Sequence, residues 1–364
     1  MDYKARQRRL QESLQSNRLD ALLVTHLPNV RYLCGFTGSA GVLFISDNKS
    51  VFFTDGRYLT QARAEVQGCK VVISKKGPLV ACAEWLRVHK KSPGAVRRRI
   101  GIEGEHLTVA ERSRLAAILP RESALREAPS LIERSRMLKD AGEIQQIRAA
   151  ILLGANLFDV LLKTIRPGVK ESEVAAELEY AARRAGAEGM SFPTIIAGGE
   201  RSSLPHGRAS EAPIPRNGFV VCDFGVILTG YCSDMTRTVY VGRPTSEARR
   251  VYESVRRAQQ AAIEAVQPGV VVGEIDRVAR KLLKTNNLDR YFTHSTGHGV
   301  GLEIHEPPRI AAGQEEVLRP GMVITIEPGV YIPGKFGVRI EDMVVVTERG
   351  CQVLTPTSKT LITL

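Results

Sequence analysis

The chain has 364 residues, 43% of them apolar and 25% charged, with a formal net charge of +12. This is the profile of an ordinary globular protein, long enough for two domains with ample cores. No apolar run approaches membrane-spanning length, and the polar start Met1-Asp2-Tyr3-Lys4-Ala5-Arg6 has no apolar signal core, so neither a span nor a secretory leader is expected.

Residues 1–130 read as a small α/β unit. Leu10 to Leu19 has a helical pattern. Ala21-Leu22-Leu23-Val24, Val42-Leu43-Phe44-Ile45 and Val51-Phe52-Phe53 are short apolar runs between turn signals, and so strands. Phe36 to Gly41 is a Gly-rich turn without phosphate-loop spacing. The densest basic cluster runs from Arg87 to Arg99 and includes Lys90, Lys91, Arg97 and Arg98. It lacks interleaved aromatics, so a solvated basic face is expected rather than nucleic-acid binding. The six cysteines, at 34, 69, 82, 222, 232 and 351, form no CxxC pair. That speaks against a disulfide framework or zinc ribbon and for a reducing cytoplasm. Pro129, several charges and Gly142 place a boundary near residue 130, with a second domain over 131–364.

The second domain holds an internal repeat. Arg166-Pro167-Gly168-Val169, followed by Glu173-Val174, recurs 101 residues later as Gln267-Pro268-Gly269-Val270, followed by Glu274-Ile275. Each copy lies between two helical stretches, the first running from Ile144 to Leu162 and from Ala248 to Val266. Each is followed by a two-strand hairpin: Phe219–Phe224 with Tyr231–Val241, and Met322–Glu327 with Val338–Val346. Two such halves pack about a pseudo-twofold axis, and the seam is the natural place for a site.

The acids single out that seam. Asp223 interrupts an otherwise apolar strand, and a bare charge there is costly. Symmetry about Leu228-Thr229 sets Asp223 opposite Asp234 on the partner strand, with Cβ atoms about 5 Å apart. Symmetry about Gly334 sets Glu327 opposite Glu341. Facing carboxylates need a shared proton or a cation, and four of them make a hard oxygen cage for divalent metal. His298, in Gly297-His298-Gly299-Val300-Gly301, supplies an imidazole. His206 falls 99 residues before His305, close to the repeat offset, so the two are expected to flank the seam. His294 is a weaker candidate. His26, His89 and His106 lack such context and are read as structural.

Together, Asp223-Phe224-Gly225, Ser233-Asp234-Met235-Thr236-Arg237, Thr296-Gly297-His298-Gly299, Ile326-Glu327-Pro328-Gly329 and Val338-Arg339-Ile340-Glu341-Asp342 resemble the pita-bread metallopeptidases: methionine aminopeptidase, aminopeptidase P and prolidase. Tyr32-Leu33-Cys34-Gly35-Phe36-Thr37 and Phe53-Thr54-Asp55-Gly56-Arg57-Tyr58 resemble the creatinase-like N-terminal domain of the Xaa-Pro peptidases. The resemblance implies an α/β creatinase-like domain followed by an α+β pita-bread domain, and a two-metal Xaa-Pro aminopeptidase. It implies that Asp223 binds one ion, that His298 and Glu327 bind the other, and that Asp234 and Glu341 bridge them. It further implies that His206, His294, His305 and Arg339 line the substrate site, with Glu327 as general base and His305 and His206 moving or stabilising charge. Arg339 lies two residues from Glu341 on one strand and so shares its face.

Manganese is the first expectation for the two divalent ions, ahead of cobalt, zinc or iron, because four carboxylates to one imidazole is a hard donor set. Small peptides with proline second are the expected substrates, and the family pattern implies a homodimer or tetramer. An Xaa-Pro dipeptidase (prolidase) is the alternative, sharing every ligand. A methionine aminopeptidase and a non-catalytic binding protein of the same fold are more distant readings.

Overall fold

Short runs of β-branched and aromatic residues bounded by turn residues become strands in the N-terminal part. The computed structural model describes residues 1–89 and 98–364. It divides into one unit over Met1–Arg136 and another over Met137–Leu364. Among the described residues of the first unit, the strands are β1 (Ala21–Val24), β2 (Val42–Ser46), β3 (Lys49–Asp55), β4 (Lys70–Ser74), β5 (Arg98–Glu103) and β6 (Ser123–Ala128). They form one sheet in the order β4-β3-β2-β1-β5-β6. Its helices are α1 (Tyr3–Ser16), α2 (Leu27–Cys34), α3 (Leu59–Glu65), α4 (Pro78–Val88), α5 (Val109–Ile118) and, at its end, α6 (Leu131–Met137). The core gathers Leu23, Phe44, Phe53, Leu86 and Ile100. Helix α2 was not expected from the sequence. It starts on Leu27-Pro28, where proline's missing N–H costs nothing. Of the basic cluster, Lys90, Lys91 and Arg97 lie outside the described residues. Arg99 pairs with Asp20 at 3.2 Å, and the Arg98 guanidinium stands 5.3 Å from the Phe44 ring centre.

The second unit carries the repeat as two halves. The first half begins with α7 (Ala141–Thr164) and α8 (Glu171–Arg184). Its strands are β7 (Gly189–Met190), β8 (Ile195–Gly198), β9 (Gly218–Phe224), β10 (Val226–Leu228), β11 (Tyr231–Cys232) and β12 (Met235–Val241). The second half has α9 (Ser246–Glu264) and α10 (Val272–Lys284). Its strands are β13 (Gly297–Gly299), β14 (Glu306–Ile310), β15 (Val323–Ile326), β16 (Gly329–Ile332), β17 (Phe336–Arg339), β18 (Asp342–Thr347) and β19 (Gly350–Val353).

Helix α7 starts on a capping box in which the Asp140 carboxylate accepts from the Glu143 N–H and the Glu143 carboxylate from the Asp140 N–H. The duplicated Pro-Gly turns match in detail. Gly168 and Gly269 take φ of +88° and +86°, and their N–H groups donate to the Ile214 and Leu318 carbonyls at 2.9 and 2.8 Å. Among the described residues the main sheets are β12-β9-β8 and β14-β13-β15-β18-β19. Phe158, Leu161, Leu178, Val220 and Phe224 fill the first half's core, and Val255, Ile275, Leu283, Ile324 and Val344 the second's. Ile147, Ile151, Tyr231, Val300, Val323 and Met343 form a third cluster that joins the halves. No helix among the described residues is long and apolar enough to cross a membrane.

One hairpin departs from the expected register. The turn falls at Thr229-Gly230, both with positive φ (+49° and +81°), so that Leu228 faces Tyr231 and Asp223 faces Thr236 rather than Asp234. A two-residue turn with both φ positive matches strand twist and wants glycine, which Gly230 supplies. The shift is by two residues, and the side-chain period is two, so Asp223 and Asp234 keep the same face. The second hairpin has the register expected: Ile326 faces Asp342 and Gly329 faces Arg339, which sets Glu327 across from Glu341.

Candidate active site

The expected strands do not run unbroken through the acids. Asp234 falls between β11 and β12, Glu341 between β17 and β18, and Glu327 just past β15. Leaving the ladder at these points lets each side chain turn toward the seam, as local irregularities do elsewhere. Close backbone approach makes this possible. A Cβ on Gly225 would lie 1.8 Å from the Ser233 carbonyl oxygen, and one on Gly297 would lie 1.9 Å from that of Thr325.

All the residues singled out in the sequence line one cavity of about 830 Å³: His206, Asp223, Asp234, His294, His298, His305, Glu327, Arg339 and Glu341. Asp223, Asp234 and Glu341 are buried, at 8%, 5% and 1% exposure. His298 Nδ1 meets the Gly299 carbonyl at 3.0 Å, which turns Nε2 toward Asp234 Oδ2 at 3.6 Å and Glu327 Oε1 at 3.5 Å. Asp234, His298 and Glu341 each offer a ligand atom within 4.8 Å of the others. Asp223 Oδ1 and Glu341 Oε1 are buried without a hydrogen-bond partner. Burial, and then the neighbouring acids, hold Asp234 and Glu341 well above the usual carboxylate range. Burial pushes Glu327 up to about 8 against the pull of Arg339. Clustered, desolvated carboxylates with unfilled oxygens and an imidazole fit hard divalent cations.

Arg339 is the buried cation of the site. It donates to the Asp223 carboxylate, to the Tyr331 hydroxyl, to Thr236 Oγ1 at 3.1 Å and to the Pro205 carbonyl at 3.0 Å. Tyr331 Oη also meets His294 Nε2 at 2.9 Å. Burial and then the Arg339 charge lower His294 to about 3, and burial lowers His298 to about 4, so both are neutral at neutral pH. His305 is more exposed. Its pKa is lowered by burial and by nearby His206, and its ring stands 4.4 Å from that of His298.

Tyr331, Arg208, Arg309, Gln314 and Glu306 also belong to this region and were missed. Tyr331 carried the one usable signal, a polar tip in the buried strand Gly329-Val330-Tyr331-Ile332. Glu306 and Arg309 lie in β14, whose alternation the prolines of Glu306-Pro307-Pro308-Arg309-Ile310 disguise, and Arg208 and Gln314 lie outside regular elements.

Residues 145–348 match the sequence model of metallopeptidase family M24, and residues 6–138 match that of the creatinase/prolidase N-terminal domain. The chain belongs to the M24 metallopeptidase family. It is 37% identical over 355 residues to an Xaa-Pro dipeptidase of Pyrococcus horikoshii, covering 96% of this chain and 97% of that one. The fold superposes on a solved Xaa-Pro dipeptidase from Bacillus anthracis with a TM-score of 0.94, at 38% identity and 100% coverage of both chains. An X-Pro aminopeptidase structure from Thermotoga maritima gives a TM-score of 0.88 at 35% identity, covering 97% of this chain and 100% of that one. The creatinase-like domain followed by a pita-bread domain is therefore the fold of this family member, and a metallopeptidase its class.

Proposed function

We propose that this protein hydrolyses Xaa-Pro dipeptides and releases free proline. From the motifs alone the dipeptidase is the alternative, behind the aminopeptidase. Relatives carrying the dipeptidase name support placing it first. The observation that carries the reading is the presence of Arg208 and Arg309, both exposed and without an ion-pair partner among the described residues, on the same cavity as the carboxylate cluster. A guanidinium fork suits a free carboxylate, which a dipeptide presents one residue from the scissile bond.

In this reading Asp223, Asp234, His298, Glu327 and Glu341 would hold two divalent ions, Asp234 and Glu341 would serve both, and manganese is the first choice. When bound, such ions supply Lewis-acid activation of water and of the scissile carbonyl. The Glu327 carboxylate takes the proton of the attacking water, and His305 passes a proton to the departing proline nitrogen. His294 stays neutral and, through Tyr331, orients Arg339. Proline lacks an N–H and fixes φ, so a dedicated cavity is needed for this bond.

Hydrolysis of Ala-Pro and Ala-Pro-Ala, side by side, by manganese-loaded protein with a chelated control tests the proposal. Cleavage of the dipeptide alone is expected. Equal cleavage of the tripeptide would favour the Xaa-Pro aminopeptidase reading, which the Thermotoga maritima likeness supports. Cleavage of neither would sink both.

A further inference from the structure

His305, the residue assigned to proton transfer, is placed indirectly. Among the described residues it has no hydrogen-bond partner of its own. His298, by contrast, is fixed twice, by its N–H to Thr325 Oγ1 at 3.0 Å and by Nδ1 against the Gly299 carbonyl. The orientation of His305 therefore rests on the edge contact with the His298 ring and on the backbone that carries it, and its next neighbour in the chain is Glu306.

Glu306 is a buried acid that organises this segment. Its Oε1 accepts from the Glu303 N–H at 3.2 Å. A Cβ on Gly301 would stand 2.6 Å from both carboxylate oxygens, so any other residue there would displace the carboxylate from this position. The other carboxylate oxygen takes Lys139 Nζ at 3.1 Å, with the two side chains 1% and 3% exposed. Lys139 lies far away in sequence and is itself anchored. Its N–H donates to the Gly321 carbonyl at 3.0 Å, and Leu138 bridges Met322, the residue before β15. Gly321 has φ of +90°, and a Cβ there would meet the Lys139 carbonyl at 3.0 Å. The lysine thus ties the His305 segment to the backbone that leads through β15 to Glu327. A buried ion pair contributes little net stability, because desolvation offsets attraction, but it fixes geometry.

We propose that Lys139 is a positioning residue for the hydrolytic reaction: through the Glu306 carboxylate it sets where the segment presents the His305 imidazole. The inference rests on the role given to His305 under the proposed function.

The test compares Lys139→Met, Lys139→Arg, His305→Ala and Lys139→Met/His305→Ala, assayed on Ala-Pro below their unfolding temperatures and with bound metal measured. A misplacement of about 1 Å lowers turnover by roughly 10- to 100-fold. Lys139→Met is expected to lose that much kcat while keeping its metal, and Lys139→Arg to recover part of it. In the His305→Ala background, Lys139→Met should cost nothing more, since both act through one group. An equal loss in the two backgrounds, or none in either, overturns the proposal.

Should Lys139→Met fail to fold, Lys139→Met/Glu306→Met removes the pair without leaving a lone buried charge. Wild-type kcat in that variant overturns the proposal equally. A second readout does not depend on substrate. In histidine-labelled, metal-free protein, Lys139→Met should move the imidazole resonance of His305 and leave those of His26 and His106 in place. An unmoved His305 signal overturns the inference even if Ala-Pro proves to be no substrate, a result that alone would sink only the functional reading.

Discussion

Removing the Arg339 guanidinium should unsettle the second unit more than any other single change at the site. Arg339 is 3% exposed, and its side chain makes four polar contacts, to Asp223, Tyr331, Thr236 and Pro205. Arg339→Ala leaves a buried Asp223 that already has one oxygen without a partner, and it strips the Pro205 carbonyl of its donor. Breaking a buried ion pair from one side costs about 3–5 kcal/mol, because the surviving charge stays buried. In a unit of this length each kcal/mol lowers Tm by about 2–4 °C, so the metal-free variant should melt roughly 6–20 °C below wild type. Calorimetry in chelator measures this directly. Arg339→Lys should recover part of the loss, since it keeps the charge but not the fork. Adding divalent cation should narrow the gap between Arg339→Ala and wild type, because metal supplies the positive charge that the variant lacks. A loss below about 1 kcal/mol in the metal-free state would refute the view that Arg339 balances the carboxylates.

Two further outcomes follow from the same geometry. Asp234→Asn should lose turnover and bound metal together, checked by metal analysis alongside the Ala-Pro assay; normal turnover would count against a shared carboxylate at this position. His294, lowered to about 3 by burial and by Arg339, ties stability to pH. Its unfolded value lies near 6.5, so between these limits the unfolded chain binds the extra proton, and stability falls as pH drops from about 6.5 to about 3. The slope contributed is at most about 1.4 kcal/mol per pH unit. In metal-free protein His294→Gln should flatten it, and denaturant unfolding at pH 7 and pH 5 would expose an unchanged slope.

The order of the four acids and His298 and the duplicated Pro-Gly turns could be read from the chain because they are local. A glycine that must take positive φ, a lone acid in an apolar strand and a repeated offset each show at one position. The second hairpin register was legible because its turn is centred on Gly334. The first was not, since Thr229-Gly230 and Leu228-Thr229 differ by one residue and only packing picks between them. The choice left the acids on one face, because a two-residue slip preserves side-chain parity.

What the sequence determined by itself was therefore the family, the two-part architecture and nine of the residues that line the cavity. Those rest on residue type and spacing, which chain order preserves. What only the tertiary structure decided was how they converge. Tyr331 joins Arg339 to His294, the strands break at Asp234 and Glu341, and Lys139 reaches Glu306 across 167 residues. Such contacts depend on where separate segments are brought together by burying a common core, and no local pattern records that.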